Sequence, residues 1–322
     1  MGGPRGPVVS RDVSLPDSLR GDGPLVSVIV PTYDDSEYVG SALESIGAQT
    51  HDNVEIVVVD SSGVEWLHEL AAEIEGLEYV FQEPRGLGAA RNRGLDVATG
   101  EVIGFVDADD RWVPEKLERQ FAALDDGADV VYSDVYLVEG DRTRRQSALP
   151  VRNPSTHHVD FLHEGGVPMP TVLARAACFD DERFDEDLPA VEDRHLWARL
   201  FARYTPARVA EPLAYYTRRE ESMSSDAETM YEAELSVIDD LCDRLPDLGP
   251  HRTALERKAQ YKYGKRLLRA GDGRAARAPL RSAVAAGERD PRALALLALA
   301  YAPAGHARLL ELLERLQERR HR

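Results

Sequence analysis

Short apolar runs and amphipathic stretches alternate along the first half of the chain. LVSVIV (25–30), VEIVVVD (54–60), LEYVF (77–81), EVIGFVD (101–107) and DVVYSDVYLV (129–138) are rich in valine and isoleucine, as buried strands are. Between them, 34–48, 64–74, 86–99 and 114–124 have helical spacing, with Val39, Leu43 and Ile46 sharing one face of the first. Asp34, with Glu37 three residues on, predicts a capping pair at the start of that helix. Pro114 fits the first position of the fourth helix. This alternation predicts an α/β fold: a mostly parallel sheet with helices on both faces and ligands at the carboxyl ends of its strands. Residues 139–190 are less regular and carry Pro150, Pro154, Pro168 and Pro170. A further helix is predicted from Glu192, with Leu196, Trp197, Leu200 and Phe201 on one face. Beyond 206–219 the pattern is helical to the end.

The helical tail holds a weak repeat. Gly264, Gly271, Ala276, Leu280 and Ala283 are spaced like the small and apolar positions of a 34-residue tetratricopeptide unit, and Gly305 stands 34 residues after Gly271. Leu310 stands where a second unit needs a small residue, so the repeat is degraded. The expected organisation is a disordered leader over 1–23, an α/β domain over 24–225, and a helical tail over 226–322. The leader's Gly, Pro, Ser and Arg content carries that first expectation, and it lacks the apolar core of a signal peptide.

Charge changes the picture more than composition does. The net charge is −18, yet from His251 onward 17 Lys and Arg face only 7 Asp and Glu. The body is therefore strongly acidic, which argues against nucleic acid as a partner. The four lysines are Lys116, Lys258, Lys262 and Lys265. An acidic, arginine-rich, lysine-poor surface suits a cell with high internal salt, where self-repulsion is screened. No apolar run approaches the roughly 18 residues of a membrane span. Cys178 and Cys242 have neither metal-type spacing nor a disulfide framework. The expected location is cytoplasmic.

Two acidic constellations carry the candidate chemistry. In FVDADDRW (105–112), Asp107, Asp109 and Asp110 follow an apolar strand. Like charges packed there call for a cation, and carboxylates suit a hard one such as Mg²⁺ or Mn²⁺ held together with a diphosphate. An acidic turn capping the next helix would have the same composition. In VEDRHLWARL (191–200), Glu192 and Asp193 open a helix. Acids in a first turn complement the helix dipole, and one of them could equally serve as a general base.

Several motifs, in order, resemble those of the family 2 glycosyltransferases of the GT-A fold. They are VSVIVPTYD (26–34), EIVVVDSSG (55–63), GLGAARNRGLDVATGEVIGFVDADDRWVPEKL (86–117) and FDEDLPAVEDRHLWARL (184–200). The resemblance spans about 25–225. It implies a nucleotide-diphospho-sugar transferase sheet, mixed and Rossmann-like, and an inverting, metal-dependent transfer from a nucleotide sugar, UDP-linked by family frequency. Pro31, Thr32, Tyr33 and Asp60 would line the nucleotide pocket, with Asp107 on the ribose side. Asp109 would ligate the metal, and Asp110 would support the loop. Gly86, Arg91 and Asn92 belong to the central motif and would brace the donor site. Asp193 would be the base, with Glu192 beside it. Asp34, Ser61 and Pro84 depart from the pattern. Near Tyr216, where the family often has an arginine and a histidine, the chain reads YTRREESMS, with Thr217 and Arg219 at those positions. The third metal ligand is thereby open, and Arg218 or Arg219 could hold the diphosphate instead.

The implied acceptor is a glycan or lipid-linked hydroxyl. The tail's Leu309, Leu310, Leu312, Leu313 and Leu316, followed by RLQERRHR, form either a packing helix or a contact with an anionic membrane at its cytoplasmic face. His157 and His158 lack metal-ligand companions, and His195 is expected near the acceptor. The other readings are a sugar nucleotidyltransferase and a non-catalytic scaffold. Against the first, the loop PTYDDSE is acidic and lacks glycine. Against the second, the aspartates are intact.

Overall fold

The computed structural model describes residues 13–35, 37–219, 226–285 and 291–302. It divides into two compact units. One comprises the chain to Leu188 with Glu192–Arg219; the other comprises Pro189–Val191 and the chain from Glu220.

The first unit is built on one sheet with nine strands among the described residues. They are β1 (Val26–Thr32), β2 (Val54–Asp60), β3 (Leu77–Phe81), β4 (Val102–Phe105), β5 (Arg111–Trp112), β6 (Val130–Glu139), β7 (Arg142–Gln146), β8 (Leu173–Arg175) and β9 (Pro206–Thr217). The order is β3-β2-β1-β4-β8-β6-β9-β5, with β7 paired to β6. β3, β2, β1 and β4 run parallel. Beyond β4 the sheet is mixed, as the resemblance implies and the strand–helix alternation alone does not: β8 is antiparallel to both β4 and β6, while β6 and β9 run parallel. β8 is three residues from the stretch that reads as irregular, too short to show a period.

Successive side chains of a strand face opposite sides, and here both sides are covered. Val26, Val28, Val30, Ile56 and Val58 share a core with Leu43 and Ile46 of α1 (Val39–Gly47), Leu67 of α2 (Glu65–Glu73) and Leu117 and Leu124 of α4 (Lys116–Asp125). On the other face, α3 (Leu87–Val97) sits so close to β1 that a Cβ at Gly94 would lie 2.4 Å from Ile29 Cγ2. Phe105 stacks edge-on against Phe179 and Phe184 and tilts against Trp197 of α6 (Glu192–Arg203).

Several local expectations need correction. Asp34 does not cap α1. It adopts a left-handed φ of 54° and donates its N–H to Ser62 Oγ, so the chain crosses to the next strand's loop before the helix starts. Pro114 precedes α4 by two residues, and its carbonyl accepts from the Thr50 N–H. Residues 13–23, expected to be unstructured, lie along the sheet unit instead. Leu19 is buried and exchanges backbone hydrogen bonds with Glu75 and Val54. His157 and His158, on α5 (His157–Glu164), are both buried. Tyr132 and Phe201 pack on His157, and burial pulls its pKa down to about 4.

The second unit contains α7 (Ala227–Arg244), α8 (Arg252–Arg269), α9 (Gly273–Ala285) and α10 (Pro291–Leu299). α8 and α9 meet through small residues: a Cβ at Gly264 would lie 2.5 Å from Leu280 Cγ, and Ala276, Leu280 and Ala283 are fully buried. Glu234 of α7 holds Lys262 and Arg266 of α8. Ala190 and Val191 pack with Met230 and Ala233 of α7, and Val191 has a φ of 55°, rare for a β-branched residue. Gly305, Leu309, Leu310, Leu312, Leu313, Leu316 and the basic end fall outside the described residues. No helix among the described residues is long and apolar enough to cross a membrane.

Candidate active site

The site is assembled where β1, β2 and β4 end and α3 and α6 begin. α3 starts at Gly86, whose φ of 94° is open to glycine at little cost. One turn into the helix, Arg91 points into the protein and is 2% exposed. Its Nη2 donates to Asp107 Oδ1 at 2.7 Å, and its Nη1 donates to Glu192 Oε1 in a very short contact. The guanidinium also lies over the Phe184 ring. Burial works against this charge, but Asp107 and Glu192 outweigh it and hold the Arg91 pKa above its ordinary value. One buried cation thus joins the aspartate turn after β4 to the acidic start of α6.

Asn92 ties the same helix to the chain that leads into α6. Its side chain donates to Phe184 O and Glu186 Oε1, and accepts from the Phe184 N–H. Both motif residues therefore brace the site. Asp193 has a freer carboxyl: it is half-buried, and Oδ1 accepts the Arg194 N–H at 2.6 Å. Burial and the neighbouring Glu192 charge raise its pKa to about 6, against the pull of Arg91. A carboxylate tuned towards neutral pH has the proton affinity a general base needs.

The three aspartates after β4 have separate fates. Asp107 pairs with Arg91 and stays 27% exposed. Asp109 Oδ2 accepts Arg219 Nε at 2.6 Å; burial raises its pKa to about 6, Asp107 adds to this, and Arg219 opposes it. Asp110 is buried, its Oδ1 accepts the Thr217 N–H at 2.8 Å, and its Oδ2 has no partner. Burial, then Asp109 and Asp107, push its pKa well above the usual carboxylate range, and its bond to the Thr217 N–H braces the turn against β9. Thr217 Oγ1 adds a bond to Asp109 O. Arg218 is not brought to this cluster; it turns to Glu139 at 2.8 Å.

The nucleotide-side residues are also divided. Pro31 and Thr32 are buried within β1, opposite Val59 and Asp60 of β2, whereas Tyr33 is 61% exposed. Asp60 is fully buried and accepts four hydrogen bonds. Ser62 N–H and Oγ bind Oδ1; the Val64 N–H and Tyr79 OH bind Oδ2. All four bonds shape the loop that follows β2. His195, expected near the acceptor, is buried on α6. Asp35 and Tyr38 join the site without having been singled out in the sequence, and Thr217, at the arginine position of the resemblance, joins it through Asp109 and Asp110. The position of Asp35 just after β1 is the signal that could have flagged it.

Among the described residues no cluster of three or more His, Cys, Asp and Glu forms a metal cage. The donors present nevertheless fit Mg²⁺ or Mn²⁺. Such ions take one or two carboxylates and complete their shell with phosphates and water. Asp107 and Asp109 supply hard oxygens, close enough for the Asp107 charge to raise the pKa of Asp109.

Residues 27–183 match the family model described as Glycosyl transferase family 2. EpsH of Bacillus subtilis (strain 168) is 33% identical over 153 residues, 45% of this chain and 44% of that protein. The amylovoran biosynthesis glycosyltransferase AmsB of Erwinia amylovora is 27% identical over 209 residues, 59% of this chain and 68% of the relative. The chain spans less than half the length of the first curated relatives it matches. Among solved structures, S. aureus TarS 1–349 in complex with UDP-GlcNAc aligns with a TM-score of 0.59 at 23% identity, covering 91% of this chain and 92% of that one. The mannosyltransferase PcManGT from Pyrobaculum calidifontis, in complex with GDP-Man and Mn²⁺, aligns with a TM-score of 0.55 at 21% identity, covering 89% and 82%. These likenesses show the fold: a GT-A sheet, here followed by a helical region.

Proposed function

We propose that the chain is a family 2 glycosyltransferase that moves a sugar from a nucleotide-sugar donor to an acceptor hydroxyl with inversion at the anomeric carbon. The observation that carries this reading is Arg91. It joins Asp107, on the expected donor side, to Glu192, the neighbour of Asp193. A donor-binding turn and a base are thereby held in one rigid frame, the arrangement a single displacement requires.

Asp193 is the base in this reading. Its carboxyl, raised to about 6, is ionised at neutral pH and still basic enough to take the acceptor proton during attack. Glu192 and Arg91 keep it in place, and Asn92 fixes the loop that leads to it. Asp109, with Asp107 beside it, would hold Mg²⁺ or Mn²⁺. That ion would supply charge to stabilise the departing nucleoside diphosphate. Arg219, bonded to Asp109, would offer its charge to those phosphates. Tyr33, exposed beside the Asp60-shaped loop, is the surface offered to the base. The proposed donor is UDP-linked, in keeping with the ligand of TarS, and the proposed acceptor is a glycan or lipid-linked hydroxyl. The biosynthetic role in AmsB's name fits such an acceptor. The tetratricopeptide spacing of the tail and a membrane contact through its basic end belong to the same proposal.

A thermal-shift panel of UDP-, GDP- and dTDP-sugars, with and without Mn²⁺, tests the donor class. A ligand that binds the folded state raises the melting temperature. Asp193→Asn should keep the donor-induced shift and lose transfer by about 10²–10⁴-fold. Transfer retained by that variant, or a product with the donor's anomeric configuration, overturns the mechanism.

A further inference from the structure

Arg219 occupies an unusual place for a surface arginine. Its Nε donates to Asp109 Oδ2 at 2.6 Å, its Nη1 donates to Asp35 Oδ1 at 2.9 Å, and the guanidinium lies 4.8 Å over the Tyr38 ring. Asp35 and Tyr38 follow β1, on the side expected to meet the nucleotide; Asp109 lies in the turn after β4. One side chain, still about a third exposed, therefore clips together two loops that, on the proposed reading, face the donor. The other arginines near the site are committed elsewhere: Arg91 to Asp107 and Glu192, Arg218 to Glu139.

This contact conflicts with the use of Asp109 as a metal ligand. A guanidinium bound to that carboxylate repels an incoming dication and takes up one of its oxygens. A donor diphosphate offers Arg219 a replacement, since its oxygens accept the forked, charge-assisted bonds that a guanidinium prefers. We propose that Arg219 is a displaceable counter-ion. It clamps Asp109 to Asp35 before the donor arrives and moves to the donor's phosphates when Asp109 is needed for the metal. The proposal rests on the nucleotide-sugar reading of the site. Its consequence is thermodynamic: metal and nucleotide each strengthen the other's binding, because each favours the state in which Arg219 has left Asp109.

The test is Mn²⁺ binding to the full chain, followed by electron paramagnetic resonance of the free ion, with and without UDP. In the unaltered protein UDP should tighten Mn²⁺ by about tenfold or more. Arg219→Gln and Arg219→Met should each bind Mn²⁺ alone about tenfold more tightly than the unaltered protein, with the UDP coupling reduced. The methionine variant keeps a long side chain over Tyr38, so loss of packing in the glutamine variant does not decide the result. If both variants bind Mn²⁺ alone no more tightly, while the unaltered protein still binds Mn²⁺ and UDP together, the counter-ion role is refuted and the transferase reading stands. If the unaltered protein binds neither, both fall.

Discussion

Replacing Arg91 with methionine removes the one cation that joins the two halves of the site. Methionine fills similar space against Phe184, so the change is chiefly electrostatic. It strands two carboxylates. Asp107, 27% exposed, can be rehydrated; Glu192, with its side chain 10% exposed, can do so far less. Breaking a buried pair by removing one partner costs about 3–5 kcal/mol, and the partial exposure of Asp107 places this case near 3 kcal/mol. With a urea m-value of about 3 kcal/mol/M, the unfolding midpoint should fall by about 1 M. Trp197, buried beside Phe105 and Phe184, reports the loss through its fluorescence. A second readout comes from Asp193. Arg91 lowers its pKa, so removing that charge should move the acid limb of the transfer rate above pH 6. Adding Glu192→Gln removes one stranded charge and should recover part of the midpoint. A midpoint within about 0.3 M of the original, or an acid limb that stays in place, would show that Arg91 is not the keystone.

Three further outcomes follow from the same geometry. Gly94→Ala gains up to about 1 kcal/mol of helix propensity but drives a methyl to 2.4 Å from Ile29 Cγ2. Overpacking of that kind costs about 1–3 kcal/mol, so a net loss of stability should appear in thermal melts. Asp193→Asn should stabilise the protein at pH 7 by about 1–3 kcal/mol. The folded-state pKa of about 6 lies above the unfolded one, so the ionised carboxyl destabilises the fold above pH 6. The advantage should shrink as pH falls through 6 and be gone near pH 4, as paired melts at each pH would show. Finally, a net charge of −18 predicts a melting temperature that climbs from about 0.1 M to about 2 M KCl; a flat response would remove the case for a high-salt cell.

The parallel half of the sheet was legible because β1, β2 and β4 are short, valine- and isoleucine-rich runs and β3, LEYVF, is apolar at three neighbouring positions, two of them aromatic. β5 and β8, two and three residues long, were not. They borrow their strand character from neighbours and carry no pattern of their own. In the site, residue types survived better than residue duties. Arg91 and Asn92, singled out from the motif, turn inward and bind Asp107 and Phe184. Asp60 sits at the expected strand end, yet the turn of Ser62 and Val64 consumes its oxygens, which a one-dimensional reading cannot show. Arg218 and Arg219 are adjacent and were equal candidates; only their three-dimensional neighbours separate them, sending one to Glu139 and the other to Asp109. That last contact spans 110 positions of sequence, beyond the reach of any local signal.

The bond between Arg91 and Glu192 spans 101 positions, and this sets a timetable for synthesis. At about 5–20 residues per second, a ribosome needs roughly 5–20 s to add the stretch that separates them. During that interval α3 has emerged with its arginine, and the carboxylate that must neutralise it does not yet exist. Asp107, 16 positions away, is the earlier partner and can shelter the charge in the meantime. Docking of α6 then both completes the core and delivers Asp193. A nascent chain stopped before residue 192 would carry the Arg91–Asp107 pair without Glu192, Asp193, Thr217 or Arg219.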